Sequence, residues 1–234
     1  MKKVSVCLAA YNGEKHIGRQ LASIVNQLGP DDEVIVSDDA STDATHQIVA
    51  SFNDSRIKFY TNTGTHGPVG NFQHALSLAT GDLIFLSDQD DVWLPDKLTD
   101  TVRLLDTHDL VVSDCTIVDE QLNTLHPSFF AMRGSRSGFV HNLLKNSYMG
   151  CCMAFRRDIL ILALPIPATV YMHDWWIGLL AELNGKVYFY KKPLILYVRH
   201  GNNASPTGEG SLDWQQKVTN RAGLLTNLIR RMAH

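Results

Sequence analysis

Leu83-Ile84-Phe85-Leu86-Ser87-Asp88-Gln89-Asp90-Asp91-Val92-Trp93-Leu94-Pro95 is the stretch whose reading decides the fold. Leu83 to Leu86 suits a strand buried on both faces, and Pro95 suits the first turn of a helix carrying Leu98, Val102 and Leu105. Toward the N-terminus the same alternation repeats. Val4 to Ala9, Glu33 to Ser37 and Ile57 to Tyr60 read as strands. Ile17, Leu21, Ile24, Val25 and Leu28 form a helical stripe stopped by Gly29-Pro30. Ala44, Ile48, Val49 and Phe52 form a second stripe, and Val69, Phe72, Leu76 and Ala79 a third, after a loop from Asn62 to Gly70. Strands and helices taking turns predict an α/β fold, a mostly parallel sheet flanked by helices. Beyond about Leu110 the strands are Leu110 to Ser113, Tyr148 to Phe155, Val187 to Tyr190 and Leu194 to Val198, with two helical stretches between them and no Pro/Gly/Ser linker. The expected organisation is one domain over residues 1–205, with a helical appendage over 206–234.

The composition narrows the class. With 44% hydrophobic and 19% charged residues in 234, the chain can bury a sizeable core. A net charge of −3 provides no electrostatic footprint for nucleic acid. Cys7, Cys115, Cys151 and Cys152 are too irregularly spaced for a secreted disulfide framework, so reduced thiols in a cytoplasm are expected. Glu14, Lys15 and His16 interrupt the first apolar run, which argues against a signal peptide, and Pro165 and Pro167 break the run from Ile159 to Met172. No apolar stretch reaches the roughly 18 to 20 residues a membrane span needs.

In an open parallel sheet, ligands bind beyond the carboxyl ends of the strands, which makes the acids informative. Asp38 and Asp39 follow the second strand; Asp88, Asp90 and Asp91 follow the fourth. In Asp38-Asp39-Ala40-Ser41-Thr42-Asp43 the acids also suit a helix N-cap. Three acids in four positions are better explained by a divalent metal, magnesium or manganese, which completes its shell with substrate phosphates. Neither a Walker loop nor Gly-x-Gly-x-x-Gly is present to cradle phosphate by itself. Asp174, in Met172-His173-Asp174-Trp175-Trp176, stands at the start of a helix carrying Ile177, Leu180 and Leu183. It reads either as an N-cap or as the polar partner of two indoles that could pack on a sugar. His200 reads either as a solvated loop residue or as part of a site.

Together, Ser5-Val6-Cys7-Leu8-Ala9-Ala10-Tyr11-Asn12-Gly13, Val36-Ser37-Asp38-Asp39-Ala40-Ser41-Thr42-Asp43 and the acid run from Asp88 to Pro95 resemble the family 2 inverting glycosyltransferases of GT-A fold. The resemblance runs from Lys3 to about Ser205 and makes residues 1–110 the nucleotide-sugar half and 111–205 the acceptor half. It implies that Ala9, Ala10, Tyr11, Asp38, Asp39, Asn71, Asp88 and Gln89 bind the nucleotide sugar, with Asp39 on the base. Asp88, Asp90 and His200 are implied to hold Mn2+ or Mg2+, and Arg199 to contact the diphosphate. Trp93, Met149, Gly150, Cys151, His173, Trp175 and Trp176 fall on the acceptor side, within or near segments such as Asn146-Ser147-Tyr148-Met149-Gly150-Cys151-Cys152. Asp174 matches the catalytic base.

Two departures stand out. The usual acidic pair before the acceptor helix is His173-Asp174 here, and no Gln-x-x-Arg-Trp motif appears, which argues for one sugar per encounter. The late segments look most like bacterial O-antigen or capsule transferases, including rhamnosyltransferases. The implied donors are dTDP-rhamnose or a UDP-hexose, and the implied acceptor is a glycan or lipid-linked glycan. Two other readings compete. Asp88-x-Asp90-x-Val92 also fits haloacid-dehalogenase-like phosphohydrolases, with Asp88 as nucleophile, and the missing acid at His173 fits a nucleotide-sugar-binding module without turnover. Finally, Trp214, Val218, Ala222, Leu225, Ile229 and Met232 make one apolar stripe in a tail of net charge +3 from Leu212 onward. That helix is expected either to pack on its own domain or to meet a partner or an anionic membrane surface, in which case the protein would be peripheral on the cytoplasmic face.

Overall fold

The computed structural model describes residues 2–200 and 213–233. The expected boundary at 205/206 lies outside them. Among the described residues nine strands make one sheet: β1 (Val4–Ala10), β2 (Glu33–Asp38), β3 (Ile57–Thr61), β4 (Leu83–Asp88), β5 (Val92–Trp93), β6 (Leu110–Val118), β7 (Thr124–His126), β8 (Met153–Arg156) and β9 (Val187–Val198). Their order is β3-β2-β1-β4-β8-β6-β9-β5, with β7 beside β6. β3, β2, β1 and β4 are mutually parallel, β8 runs antiparallel between β4 and β6, and β6 and β9 are parallel. The chain steps outward from β1 to β2 and β3, then returns to place β4 on the other side of β1. The β1/β4 boundary is therefore the topological switch point, where such sheets bind ligands.

Helices α1 (Ile17–Val25), α2 (Thr45–Ser51), α3 (Pro68–Leu78) and α4 (Lys97–Leu104) connect the first strands as the periodicities predict. The second half differs in detail. Residues Gly150–Cys152, expected within a strand, form a 3-10 turn before β8. The two late strands are one, β9, whose register with β6 shifts where Asp114 faces Pro193. A proline supplies no ladder N–H, so an irregularity there keeps the remainder paired. The two-residue β5 folds the acid loop back onto β9 through Val92 and Trp93. It is too short to show in any periodicity.

The helices of the second half are α5 (Phe129–Arg133), α6 (Phe139–Leu144), α7 (Arg157–Ala163), α8 (His173–Asn184) and α9 (Trp214–Met232). The tryptophans expected at the acceptor side belong to the core instead. Trp176 is fully buried with its indole N–H donating to the Ala163 carbonyl at 2.9 Å, and Trp175 donates to the Asn142 carbonyl at 2.7 Å. Trp93 packs against Phe85 with ring centroids 5.5 Å apart. An indole that is buried must satisfy its N–H locally, and for the two α8 indoles that requirement ties α8 to α6 and α7.

The tail helix α9 docks through Leu224 and Leu228, which are buried, and through polar contacts. Arg231 donates to the carbonyls of Leu162 and Leu164, and Asn227 donates to Thr169 Oγ1. The apolar stripe read from the sequence is a different face, and its large residues stay exposed.

Trp176→Ala is expected to cost about 3–5 kcal/mol of stability, the usual loss for truncating a buried aromatic. Urea denaturation measures it as a drop in midpoint at unchanged slope.

Candidate active site

Register brings the first strand ends together. Ala9 lies opposite Asp88 across β1/β4, and Ala10 opposite Asp38 across β1/β2. The residue after β1, Tyr11, is 58% exposed, so its ring is open at this edge. Gln89 explains how the Tyr11 backbone is held: its side-chain oxygen accepts from Tyr11 N, and its Nε2 donates to Tyr11 O, each at 2.9 Å. Both ends of the Gln89 amide are thus engaged, which makes it a clamp on the Tyr11 backbone at the edge where the nucleotide contact is expected. A Cβ on Gly13 would lie 2.2 Å from Gln89 Oε1, so the glycine after Tyr11-Asn12 is what lets this clamp close.

Two further expected contacts are likewise turned to the frame. Asp38 is buried and accepts from the Ser41 backbone and hydroxyl. Asn71 donates to the Ala10 carbonyl at 3.0 Å and accepts from Ser37 Oγ at 2.6 Å. The N-cap of α2 is Ala44, which has no side-chain cap, and Asp43 just before it accepts from Thr45 N at 3.0 Å. Asp39 is turned to the loop after β3. It accepts from Asn62, His66 Nδ1 and Gly67 N at 2.7–2.9 Å. Burial works against its charge, but these donors outweigh it and hold the carboxyl below its ordinary range. The next residue, Ala40, has φ 63, a left-handed conformation that costs a side chain energy and sets the turn beyond Asp39.

The acids after β4 are crowded. Asp88 is pushed up to about 8 by burial, then by the charges of Asp90 and Asp174. Asp91 is fully buried: one oxygen accepts from Val198 N at 3.1 Å, and the other has no hydrogen-bond partner. Asp90 Oδ2 lies 2.7 Å from His200 Nε2, and the His200 ring stacks on His16 at 4.8 Å. Arg199, the neighbour of His200, is exposed and donates its backbone N–H to Val118 O.

These residues fit a divalent cation. Besides burial, the charge of Asp90 helps to raise both Asp88 and Asp91, Asp91 keeps an orphan oxygen, and His200 brings a ring nitrogen beside Asp90, a set that calls for positive charge. A tighter group, Asp88, Asp91 and Cys151, places one ligand atom of each within 4.8 Å of the others. Burial and its neighbours hold the Cys151 thiol protonated, and Asp91 is bound to β9, so the more open Asp88, Asp90 and His200 suit an oxygen-seeking ion better.

Asp174 reaches this edge from α8. The N-cap of that helix is Met172, so Asp174 is not the cap. Burial pushes its pKa up to about 6, against hydrogen bonds from the backbone of Trp175 and Gly150 and from the side chain of Asn146. At pH 7 the ionised form therefore leads by about tenfold, which leaves a competent proton acceptor of raised basicity. His173 cannot share that task. Burial drives it down to about 3, its ring stacks on Phe72 at 4.0 Å, and neither nitrogen has a partner. Gly150 lies beneath it: a Cβ there would stand 3.1 Å from His173 Nε2. Met149 is half-buried against Cys115, and Cys151 is fully buried, so of the expected acceptor residues these two line the floor rather than a surface.

Sequence reasoning passed over two residues that the site uses. His66 binds Asp39, and its loop carried no stronger signal than a glycine. Lys97 is buried below the acid loop, donating to Ser113 Oγ at 3.0 Å and to Cys152 O at 3.2 Å. Nothing in its local sequence separates it from a solvated helical lysine.

Residues 5–162 match the glycosyl transferase family 2 model. The chain belongs to that family. Among its relatives it is 29% identical over 185 residues to the Escherichia coli protein WfgD, described as a UDP-Glc:alpha-D-GlcNAc-diphosphoundecaprenol beta-1,3-glucosyltransferase, covering 77% of this chain and 71% of that one. It is 28% identical over 215 residues to the dTDP-rhamnosyl transferase RfbG of Shigella flexneri, covering 84% and 72%. Its fold matches S. aureus TarS 1-349 in complex with UDP-GlcNAc at TM-score 0.71 and 20% identity, over 99% of this chain and 72% of that one. It also matches the Pyrobaculum calidifontis mannosyltransferase PcManGT, solved with GDP-Man and Mn2+, at TM-score 0.62 and 22% identity, over 97% and 64%. The fold is GT-A.

The raised acids make a pH prediction for this family 2 site. A carboxyl whose folded pKa lies above its unfolded value binds more protons when folded, so stability falls as pH rises between the two values. With a chelator present, the melting temperature is expected to fall between about pH 6.5 and about pH 8 as Asp88 ionises, whereas at lower pH the buried neutral His173, which binds its proton only on unfolding, opposes the effect of Asp174. Added Mn2+ should flatten the upper part of that decline. Differential scanning fluorimetry across pH, with and without the ion, checks both.

Proposed function

We propose that this glycosyltransferase is metal-dependent and inverting, and that it moves one sugar from a nucleoside diphosphate sugar, a UDP-hexose or dTDP-rhamnose, onto a hydroxyl of a glycan or lipid-linked glycan during cell-surface polysaccharide synthesis. The observation that carries the reading is the meeting of Asp174 with Asp88. A base on α8 and an acid at the switch point sit close enough for the charge of one to raise the pKa of the other. That juxtaposition suits a reaction in which an acceptor loses a proton at one side while a diphosphate leaves at the other. The donor classes are supported by the names of WfgD and RfbG and by the UDP-GlcNAc bound to TarS.

In this reading residues 1–110 form the donor half and 111–205 the acceptor half, with 206–234 as an appendage. Tyr11 offers its exposed ring to the base, and Asp39 accepts from it in exchange for one of its present donors. Asp88, Asp90 and His200 would hold Mn2+ or Mg2+, which supplies positive charge against the developing diphosphate. Arg199, on the same edge, adds a fixed cation. Asp174 takes the proton of the acceptor hydroxyl as that oxygen attacks the anomeric carbon. One displacement inverts the configuration, and no covalent enzyme intermediate is needed. All four cysteines are free thiols, which accords with a cytoplasmic site where nucleotide sugars are available.

Asp174→Asn is expected to keep donor binding and to lower transfer by roughly two to four orders of magnitude, the usual contribution of a general base. Product formation from a panel of nucleotide sugars, with donor affinity measured separately, tests this; near-normal transfer by the variant would remove Asp174 from the reaction. Turnover should also cease in EDTA and return with Mn2+ or Mg2+. Full activity after chelation would discard the metal assignment.

A further inference from the structure

The exposed apolar stripe of α9 does not stand alone. Trp214 is 68% exposed and Ile229 62%, and Val218, Leu225 and Met232 are exposed with them. Beside α9, the short helix α6 carries Val140 and Leu144, which are 67% and 61% exposed. The two helices touch: Arg221 of α9 donates to the Leu144 carbonyl and lies 5.6 Å over the Trp175 ring. Among the described residues no helix is long and apolar enough to cross a membrane, so this face is a surface feature and not part of a span.

Charge indicates what covers it. The helix has one acid, its N-cap Asp213, against Lys217, Arg230 and the two arginines Arg221 and Arg231 that also bond to carbonyls of the domain, in a chain whose net charge is −3. Around α6 stand Arg133, Arg136 and Lys145, close enough that their charges add to burial in lowering the pKa of His141. Glu182, on neighbouring α8, is turned inward and accepts from Gly138 N and Tyr148 Oη. A face of exposed apolar residues interleaved with cations repels a second copy of itself, because a two-fold contact would oppose the same cations. It matches an anionic lipid surface, in which apolar side chains enter the acyl boundary and Lys and Arg meet headgroups.

We infer that α6 and α9 together form a docking face for an anionic bilayer. Its position is informative: Arg133 donates to the Asn146 carbonyl at 2.9 Å, and the Asn146 side chain supports Asp174. The face thus begins at the acceptor side of the base, where a lipid-linked acceptor would enter. Only this use rests on the transferase reading; the lipid contact does not.

The test is sedimentation of the full chain with vesicles of phosphatidylcholine containing about 30% phosphatidylglycerol, beside vesicles of phosphatidylcholine alone. Binding is expected only to the anionic vesicles and should weaken with salt. At about fivefold per cation, Arg136→Gln with Lys145→Gln should weaken partitioning about 25-fold. Val140→Asp with Leu144→Asp, and separately Leu225→Asp with Ile229→Asp, should abolish it while the melting temperature and transfer to a soluble acceptor stay unchanged. Failure of the full chain to bind anionic vesicles overturns the proposal. So does binding that the α6 variants leave intact, or a dimer in solution that the α9 variants dissociate. Loss of transfer with lipid binding intact would instead count against the transferase reading alone.

Discussion

At the carboxyl end of the sheet the molecule gathers carboxyl groups that it does not neutralise, and the remainder of the site follows from that. The amino end shows the contrast. Glu33 is buried, yet Ser5, Lys58 and Thr80 all donate to it. Burial opposes its charge, but these bonds outweigh it and hold its carboxyl at about 2, so it ties β1, β2 and β3 together as a settled structural group. Asp88, Asp91 and Asp174 receive no comparable set of cations and are displaced upward. The residue types are similar at the two ends, but Glu33 has donors while Asp88 and Asp91 have acidic neighbours. An acid edge left in that state is destabilising unless a ligand brings positive charge, so binding and folding are linked at this one place.

The parts of this arrangement legible in the sequence were those that depend on spacing. Apolar strands at Val4, Glu33 and Leu83, each followed by an amphipathic stripe, determine the switch point, and acids following two of those strands must then share an edge. Asp174 was legible because it stands in a motif. What spacing cannot show is which way a polar side chain turns. Gln89, Asp38 and Asn71 lie at the expected places, yet each is engaged by nearby backbone or hydroxyl groups, and whether an amide faces a ligand or its own frame depends on distances of a few ångströms between separate segments. Lys97 and β5 were illegible for related reasons: one is a polar residue in the core, and the other is too short to have a period.

The adjacent tryptophans illustrate the same limit and its consequence. Beside a carboxylate, two indoles suggest a sugar platform, but Trp175 and Trp176 follow Asp174 on a helix, and successive helical residues point in different directions. Asp174 faces the site, while the indoles turn to α6 and α7 and donate to one carbonyl on each side. They fix the first turn of α8 from two directions, so Asp174 sits on a braced helix instead of a loop.

That bracing also reaches the tail. Arg221 and Arg231 of α9 lie 5.6 and 5.5 Å over the rings of Trp175 and Trp176 respectively, and Arg231 also binds the carbonyls of Leu162 and Leu164 at the end of α7. The two side chains next to the base in sequence are thus the ones on which α9 is mounted. A guanidinium over an indole holds by its flat face and its charge together, which lysine would not reproduce. Asp174 and the basic apolar face are consequently linked through one pair of aromatic residues, beside the Leu224 and Leu228 contacts that also dock α9, and any surface that α9 meets is held in a fixed relation to Asp174.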